Sequence, residues 1–432
     1  MRIAIIGSGI SGLTSAYLLN QKHDISLFEA DSRLGGHTAT IDVEEGDRTI
    51  PIDTGFIVFN DWTYPNFIKL MAELGVENQP TDMGFSVSAL GSGPNGSGEF
   101  AKDFEYAGNN LNSLFAQRRN LLDGGHWRML RDIVRFNRDA VTDWKRGELS
   151  EATTLGSYLD TNGYSAEFAS RYLVPMGSAI WSASMSRMLD FSVDFFVRFF
   201  YNHGLLNIFN RPQWRVIRGG SKSYIAPMIE SFKDRIHLSS PVQRVTRVGQ
   251  HVQLEYLSAS GEKRMQEFDQ VIFACHSDQA LKILGDASIP ESEILGHIPY
   301  EKNSVVLHTD TSLLPKRQSA WASWNYRLQG DDSALPALTY NMNILQRLET
   351  SKTYCVTLNA DHLIDQNKII GEYEYEHPQF SVNGNSAQAR WGEINGVNRT
   401  WFCGAYWTNG FHEDGVVSAV RVAKALGVDF NA

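Results

Sequence analysis

A glycine-rich turn near the start of the chain constrains the fold more than any other feature of the sequence. Residues 3–6 form a short apolar run, residues 7–12 have the spacing G-x-G-x-x-G, and a helical pattern continues to Asn20. A second apolar run, residues 25–28, ends on Glu29. Strand, glycine turn, helix, strand and acid in this order predict the first βαβ unit of a dinucleotide-binding sheet.

Each glycine of this turn has a predicted role. Gly7 allows the tight turn, Gly9 lets the backbone approach a pyrophosphate, and Gly12 lets the helix pack closely against the strand. The pyrophosphate then accepts hydrogen bonds from the free N–H groups at the positive end of the helix. Glu29 lies where its carboxylate can accept hydrogen bonds from ribose hydroxyls. The alternative, an ordinary βα turn without a ligand, explains fewer of these features.

The length and charge of the chain exclude several classes of function. At 432 residues the chain is too long for one compact core, and we expect two or three domains. A net charge of −10 argues against a nucleic-acid partner and offers no polybasic anchor for an anionic membrane. No run approaches the roughly 18 apolar residues that span a bilayer, so we expect no transmembrane segment.

The three cysteines indicate a reducing compartment. Cys275, Cys355 and Cys403 are far apart and lack the spacing of a metal site or a disulfide framework. We therefore expect no metal and a cytoplasmic location. Contact with a membrane surface stays open, because an acyl substrate would require access to one.

The hydrophobic patterns divide the chain into five segments that alternate between two domains. Residues 1–78, 211–286 and 392–432 are predicted to form a discontinuous α/β nucleotide-binding domain. Residues 79–210 and 287–391 are predicted to form a substrate domain that combines a helical insertion with a largely antiparallel sheet. The predicted strands after the first βαβ unit include residues 85–90, 236–248, 252–257, 270–275, 304–308, 321–326, 338–342 and 354–358, and residues 91–98 are predicted to form a turn-rich loop.

Two further elements favour FAD over NAD as the dinucleotide. Gly35 and Gly36 follow the ribose-binding acid and leave backbone room beside the pyrophosphate, whose charge Arg33 can offset. Residues 410–415 begin a last helix, whose N–H groups can face a flavin carbonyl that gains negative charge on reduction. An NAD dehydrogenase needs neither element.

Several aromatic side chains are candidates for the substrate pocket. Residues 190–201 are unusually aromatic, and the default interpretation is a core helix. Because ligand pockets are mostly apolar and aromatic, Phe195 and Phe199 are alternatively an apolar wall for a lipid-like substrate. Tyr406 and Trp407, just before the last helix, are candidates for the wall above the flavin ring, with surface contacts as the alternative.

The sequence resembles the FAD-dependent amine-oxidase and phytoene-desaturase superfamily over nearly its whole length. It is more closely similar to the bacterial NAD/FAD-binding flavoproteins that often accompany cyclopropane-fatty-acid synthases. The matching stretches are residues 7–12, 29, 33–37, 53–56, 213–221, 274–278 and 410–415. The resemblance implies a glutathione-reductase-like two-domain fold, non-covalent FAD and an apolar or acyl substrate. It also suggests a cyclopropane-fatty-acid-synthase-like enzyme as partner. The chain has His37 where the superfamily usually has arginine, and no lysine beside the flavin is identified.

The motifs and the resemblance together give the predicted site residues. Those assigned to the cofactor are Gly7, Ser8, Gly9, Ile10, Ser11, Gly12, Glu29, Ala30, Arg33, Gly35, Gly36, His37, Thr54, Gly55, Phe56, Val242, Cys275, Gly404, His412, Glu413, Asp414 and Gly415. Three of these carry alternatives, and His412 shares those of Glu413. His37 either lines the channel, binds a phosphate or carries a covalent flavin link, and Glu413 either binds the cofactor or caps the last helix.

The predicted function is transfer of a hydride from an apolar, acyl-chain substrate to FAD, which leaves a double bond. Flavin chemistry puts the hydride acceptor on the cofactor, so the protein need only position a C–H bond and exclude water. No catalytic residue is assigned. Three alternatives remain: amine oxidation, redox-neutral double-bond isomerisation, and a non-catalytic flavin-binding partner of a lipid-modifying enzyme.

Overall fold

The computed structural model describes residues 1–89 and 103–430. The predicted loop at residues 91–98 and the last residue of the predicted strand 85–90 lie outside these ranges. The strands within them are β1 (Arg2–Ile6), β2 (Asp24–Phe28), β3 (Thr40–Glu45), β4 (Arg48–Asp53), β5 (Val58–Asn60), β6 (Asn78–Pro80), β7 (Phe85–Ala89), β8 (Phe104–Ala107), β9 (Trp214–Ile217), β10 (Ile236–His237), β11 (Val242–Val248), β12 (His251–Leu257), β13 (Lys263–Phe268), β14 (Gln270–Phe273), β15 (Tyr300–His308), β16 (Trp324–Arg327), β17 (Ala337–Asn341), β18 (Cys355–Leu358), β19 (Ile369–Pro378) and β20 (Thr400–Phe402).

Helices cover or connect these strands. They are α1 (Ile10–Leu19), α2 (Pro65–Glu73), α3 (Leu111–Leu114), α4 (Gly124–Lys145), α5 (Leu155–Thr161), α6 (Ala166–Phe168), α7 (Val174–Trp181), α8 (Met185–Leu189), α9 (Val193–Asn202), α10 (Ile225–Ile229), α11 (Ser277–Ile283), α12 (Ile289–Gly296), α13 (Met342–Leu345), α14 (Val382–Ala389), α15 (Trp391–Ile394) and α16 (His412–Ala425). In the described ranges, no helix is both long enough and apolar enough to cross a bilayer.

A parallel sheet with the order β10-β2-β1-β14-β20 forms the first layer of the molecule. The side chains of β1 and β14 are nearly all buried, as expected when both faces of a parallel sheet are covered. Strands β12 and β13 are among the elements that contact β14 and β1. α1 packs against α16, so the two ends of the chain meet on this sheet. The predicted opening βαβ unit and the predicted return of the C-terminal segment to it are both confirmed.

The single strand predicted over residues 236–248 is wrong. Ile236–His237 pairs with β2 in the parallel sheet, whereas Val242–Val248 pairs with β12 in a separate antiparallel sheet, β11-β12-β13. The chain changes direction between them, where Ser239 adopts a left-handed conformation with φ of 48°. Pro241 follows and has no N–H to donate to a sheet.

A seven-stranded sheet with the order β19-β15-β18-β17-β16-β7-β8 forms the second layer. Its neighbouring strands are antiparallel except β16 and β7, so the predicted largely antiparallel sheet is confirmed. β19 was not predicted, although its Tyr and Glu residues alternate from Glu372 to Glu376 as a half-buried strand requires.

The hydrophobic residues form two large cores, one under each sheet. The first core surrounds the parallel sheet, and the second joins the antiparallel sheet to helices α4–α9. Phe411 packs against both cores. The chain passes repeatedly between the two layers, and the exact limits of the five predicted segments stay a prediction.

Candidate functional site

A cavity of about 750 Å³ lies between the two layers, at the carboxyl ends of β1, β2 and β14. This edge of a parallel sheet is where α/β proteins usually bind dinucleotides. The far wall comes from β19 of the antiparallel sheet, and the start of α16 closes one end. The cavity therefore joins residues from the first and last parts of the chain.

The glycines of the opening turn have different surroundings. A Cβ on Gly12 would lie 1.9 Å from the Gly7 carbonyl oxygen, and one on Gly7 would lie 2.9 Å from the Ala274 carbonyl oxygen. A Cβ on Gly9 would meet nothing within 4 Å and would project into open space. Gly7 and Gly12 are thus required by packing, whereas Gly9 leaves room for a ligand.

The N-terminus of α1 borders the cavity and is left uncapped. Gly9 is the N-cap residue, no side chain accepts a hydrogen bond from the first turn, and the first turn contains no acid. A helix end of this kind has free N–H groups and a partial positive charge, so it favours an anion.

Glu29 lies at the end of β2 in a fixed orientation. Its carboxylate accepts hydrogen bonds from the backbone N–H groups of Ser8 and Asp31, both at 2.8 Å. Arg33 is exposed, and its guanidinium holds the next loop by donating to the Gly36 carbonyl at 2.8 Å. Gly36 adopts a left-handed conformation with φ of 56°. A Cβ added to it would lie 3.2 Å from the Cα of Gly9.

Three histidines gather in the cavity wall. The His37 ring lies 5.3 Å from the His377 ring and 6.2 Å from the His276 ring. Burial, followed by the neighbouring imidazoles, lowers the pKa of His37 well below its usual value, and burial lowers the pKa of His377 to about 4. The Asn303 amide donates to Nδ1 of His377 at 3.0 Å, which leaves the proton on Nε2.

His276 forms a pair with a carboxylate from β19. Its Nδ1 lies 3.1 Å from Oε2 of Glu376, and its ring stacks on Tyr300 at 4.1 Å. When Nδ1–H donates to the carboxylate, Nε2 is left as an acceptor. Burial lowers the pKa of His276 although Glu376 opposes this, so the imidazole is neutral near pH 7. The sequence analysis missed Glu376 and His377, and only the alternation in β19 could have placed them.

The start of α16 closes the cavity with His412. Its ring stacks on Phe56 at 3.6 Å, and its Nε2 lies 3.1 Å from Oγ1 of Thr38. Burial lowers the pKa of His412 to about 3, so this histidine is neutral. Tyr406 also lines the cavity, one turn before the helix.

The next residues of α16 face other parts of the protein. The Glu413 carboxylate accepts hydrogen bonds from the backbone N–H of Asn66 at 3.1 Å and of Phe67 at 2.8 Å, and so caps α2. Asp414 caps α16 itself by accepting from the Phe411 N–H at 2.9 Å. Burial raises the pKa of Asp414 to about 7.

Sixteen of the predicted residues line the cavity: Gly7, Ser8, Gly9, Ile10, Ser11, Glu29, Ala30, Arg33, Gly35, Gly36, His37, Val242, Cys275, Gly404, Tyr406 and His412. The others lie outside the lining: Gly12, Thr54, Gly55, Phe56, Glu413, Asp414, Gly415, Phe195, Phe199 and Trp407. Some of these pack directly behind it. A Cβ on Gly55 would lie 2.1 Å from the His37 carbonyl oxygen, and one on Gly415 would lie 2.7 Å from Ile10.

The aromatic helix α9 reaches the cavity through intermediate rings. Phe199 is buried and stacks on Phe411 at 5.1 Å, and Phe411 lines the cavity. Phe195 stacks on Phe380 at 5.5 Å. A Cβ on Gly410, at the cavity edge, would lie 3.2 Å from Phe380. Phe195 and Phe199 therefore lie behind an apolar rim of the cavity and do not form its surface.

Residues 10–342 match the family model described as flavin containing amine oxidoreductase. The chain belongs to this family. It is therefore a flavin-dependent oxidoreductase whose cofactor is FAD. The predicted enzyme class and cofactor are confirmed, and the prediction of a non-catalytic flavin protein is not supported. No curated protein shows significant sequence similarity to the chain.

Solved structures similar to this chain share its fold at low sequence identity. A putrescine oxidase from a redesign of cofactor binding is 15% identical, with a TM-score of 0.68 and 99% of each chain covered. Cyclohexylamine oxidase from Brevibacterium oxydans is 16% identical, with a TM-score of 0.64, 98% of this chain and 99% of that chain covered. A CLA-producing fatty acid isomerase from P. acnes is 14% identical, with a TM-score of 0.68 and 99% of each chain covered. The predicted fold class is confirmed.

The cavity fits FAD by its own chemistry. The uncapped end of α1 and the open space beside Gly9 suit a pyrophosphate, and the oriented carboxylate of Glu29 suits a ribose. Glu29 and His412 line the same cavity, so one cavity joins both ends of the predicted site.

Proposed function

We propose that this enzyme removes a hydride from an apolar, acyl-chain substrate and leaves a double bond. The observation that supports the proposal is the aromatic rim beside the start of α16. Phe411 and Pro378 line the cavity there, and Phe199 and Phe380 lie directly behind them. Such a rim lowers the free energy of an apolar chain that leaves water.

The acidic side chains of the cavity favour an apolar substrate over a cationic amine. Among the described lining residues, the carboxylates belong to Glu29, Glu374 and Glu376. Glu29 accepts from backbone N–H groups, Glu374 accepts from Lys302 at 2.7 Å, and Glu376 pairs with His276. These existing partners reduce the negative charge that the carboxylates offer to an ammonium group.

Dehydrogenation needs a proton acceptor as well as a hydride acceptor. Two C–H bonds break on neighbouring carbons, the carbons form a double bond, and one hydrogen leaves as a proton. FAD, when bound, supplies the two-electron acceptor. We assign the proton to Nε2 of His276, because Glu376 holds the ring through Nδ1 and stabilises the imidazolium that results.

The first test mixes the FAD-loaded enzyme with candidate substrates in the absence of oxygen. Fatty acids or phospholipids are expected to bleach the flavin absorbance and to yield a product lacking two hydrogens. Bleaching by putrescine or cyclohexylamine alone would replace this proposal with amine oxidation, the chemistry named for two of the structural neighbours.

The role of His276 is tested by the variant His276→Gln. We expect the variant to keep its flavin and the rate of bleaching to fall at least about tenfold. The decrease in bleaching rate at low pH, which protonation of His276 causes, should also disappear. His308→Gln is the control, since His308 is a buried histidine of the antiparallel sheet and does not line the cavity. An unchanged rate and pH profile in His276→Gln would refute the assignment.

Double-bond isomerisation is the second candidate, because a fatty acid isomerase shares this fold. In that reaction the hydride returns to the substrate, so a product of unchanged hydrogen content forms without net bleaching. Mass analysis of the product separates the two reactions.

We further propose that FAD binds without a covalent bond and that a cyclopropane-fatty-acid-synthase-like enzyme shares the acyl substrate. Cys275 lines the cavity, but burial raises the pKa of its thiol to about 12, so the reactive thiolate is disfavoured, and Cys403 is buried beside Ser15 at 3.6 Å. Acid denaturation is expected to release all flavin from the protein. Flavin that stays with the denatured chain would contradict the first proposal, and a synthase-like enzyme that does not accept the acyl chain oxidised by this enzyme would contradict the second.

A further inference from the structure

One face of the helical insertion exposes apolar and basic side chains together. We call it the basic–apolar face, and it consists of Leu111, Arg118, Arg119, Leu121, Leu122, Trp127, Arg131, Val134 and Arg138. The exposed fraction is 94% for Leu122, 76% for Leu111, 56% for Val134, 50% for Trp127 and 47% for Leu121. Large apolar side chains are rarely grouped on a surface unless something covers them.

Hydrogen bonds and ring contacts join the N-terminal part of this face into one patch. The indole Nε1 of Trp127 donates to the Leu121 carbonyl at 2.9 Å, and the ring lies 5.5 Å from Phe115. Arg118 donates to the side chain of Asn112 at 2.6 Å, which places the start of α3 beside the same turn. The patch is therefore continuous in space, although its residues come from α3, the following turn and α4.

The face continues along α4 at helical spacing. Trp127, Arg131, Val134 and Arg138 are all exposed and follow each other by four, three and four residues. The opposite side of the helix, which includes Met129, Phe136 and Ala140, is fully buried. The helix thus has one core side and one side that presents apolar and cationic groups to the outside.

The charge of this region differs from that of the whole chain. Residues 111–146 contain eight Lys or Arg and four Asp, which gives this region a net charge of +4. The rest of the chain has a net charge of −14, and the whole chain has −10. Arg118 and Arg119 donate to neutral oxygens of Asn112, Phe115 and Asp103.

Several arginines of this region have acidic neighbours, but when the partners Glu148 and Glu167 are counted with residues 111–146 the net charge is still +2. The buried Asp132 is shared by Arg131 and Arg135, at 3.4 Å and 3.5 Å. Arg128 pairs with Glu167, and Arg138 pairs with Asp139 at 2.7 Å. The net charge of the whole chain, −10, did not reveal this local excess of basic residues, and for that reason the sequence predicted no polybasic anchor.

We propose that the basic–apolar face docks the enzyme on an anionic phospholipid bilayer. Leucine and tryptophan side chains can enter the boundary between headgroups and acyl chains, while guanidinium groups bind lipid phosphates. A nucleic acid would leave the exposed leucines in water, because its binding sites combine positive charge with aromatic rings on which bases stack. The proposal concerns membrane attachment and does not depend on which substrate the enzyme oxidises.

The face is also physically connected to the aromatic helix near the cavity. At the far end of α4, the Trp144 ring lies 5.1 Å from Tyr201 of α9, and Lys145 lies 4.9 Å above the same ring. Docking through α4 would therefore hold α9 and its layer of aromatic side chains close to the lipid surface.

The test measures co-sedimentation of the FAD-loaded enzyme with vesicles. We expect binding to phosphatidylcholine vesicles that contain phosphatidylglycerol, little binding to phosphatidylcholine alone, and weaker binding at high salt because the attraction is screened. Equal binding to both vesicle types, or no binding to either, would overturn the proposal.

Matched variants locate the surface. Leu122→Ser and the double change Arg118→Gln with Arg119→Gln are each expected to weaken binding at least about tenfold. Ile289→Ser is the control, because Ile289 is 75% exposed and lies on α12 in another part of the protein. An equal loss in the control, or none in the two test variants, would contradict the assignment of this face.

A second readout separates membrane docking from the proposed reaction. Flavin content and anaerobic bleaching by a short, water-soluble fatty acid are expected to remain unchanged in these variants. Failure of that bleaching in the unaltered enzyme would count against the proposed substrate, whereas it would leave the vesicle result intact.

Discussion

Gly9 and Gly12 belong to the same sequence motif but are constrained by different physical causes. The backbone of Gly9 has φ of −62° and ψ of 178°, which any residue can adopt, and the space beside it is open. At Gly12, a side chain would collide with the backbone of Gly7. Glycine at position 9 therefore leaves space for a ligand, whereas glycine at position 12 is required for the fold.

The variant Gly9→Val is expected to fold but to lose FAD, because the valine side chain would occupy the place of the pyrophosphate. Flavin absorbance per protein and circular dichroism measure the two effects. Gly12→Val is the comparison and is expected to fail to fold. A Gly9→Val protein that keeps its flavin would show that the cofactor lies elsewhere.

His308 shows how burial makes stability depend on pH. It is buried in the antiparallel sheet, where its Nδ1 accepts from the Asp310 N–H at 3.0 Å and its Nε2 lies 2.7 Å from Oγ1 of Thr357. Burial lowers its pKa to about 4, below the value of about 6.5 in the unfolded chain. Between these values the unfolded state binds the proton, so stability is lost as pH falls.

We therefore expect His308→Gln to reduce the pH dependence of stability. The loss of unfolding free energy between pH 7 and pH 5 should shrink by about 2 kcal/mol relative to the unaltered protein. Denaturant titration at the two pH values measures this difference. The exposed His251→Gln serves as control, and an unchanged slope in His308→Gln would be inconsistent with a neutral buried histidine.

At the scale of elements, α16 fixes α2 as well as the cavity. Residues from the first turn of α16 point in different directions: His412 closes the cavity, and Glu413 caps the N-terminus of α2. A carboxylate at that position satisfies N–H groups and complements the helix dipole. The cap joins two helices that are far apart in sequence.

Glu413→Gln distinguishes this capping role from the predicted cofactor role. We expect it to lower the free energy of unfolding by about 1–3 kcal/mol, since an amide cannot accept from every donor that the carboxylate serves, and to leave flavin content unchanged. Thermal unfolding and flavin absorbance measure both. The exposed Glu393→Gln is the control. Loss of FAD without loss of stability would instead favour direct contact with the cofactor.

At the scale of the whole molecule, the alternating chain joins the two cores. β20 and α16 complete the layer that β1 and α1 begin, and the antiparallel sheet lies between them in sequence. Neither layer consists of one continuous segment, so neither can separate from the other without strain on several connections.

We expect the enzyme to unfold in a single calorimetric transition, and excess FAD to raise its midpoint because the ligand binds only the folded state. Scanning calorimetry with and without FAD measures both effects. Two resolved transitions, with only one of them shifted by FAD, would show that the layers unfold independently.

The sequence alone determined the elements whose signals are local. The spacing of the glycines, the apolar runs around them and Glu29 predicted the βαβ unit, because turn geometry and helix-end chemistry act within a few residues. The same local logic identified the start of α16 and the antiparallel character of the second sheet.

The tertiary structure decided what depends on distant segments. His276 acquires Glu376 as a partner across 100 residues, and Glu413 meets α2 across 346 residues. The side chains of Phe195 and Phe199 on α9 lie behind the cavity surface, because they stack on Phe380, just after β19, and on Phe411, just before α16. A local pattern carries no record of such neighbours, since they are set by how the two layers pack against each other.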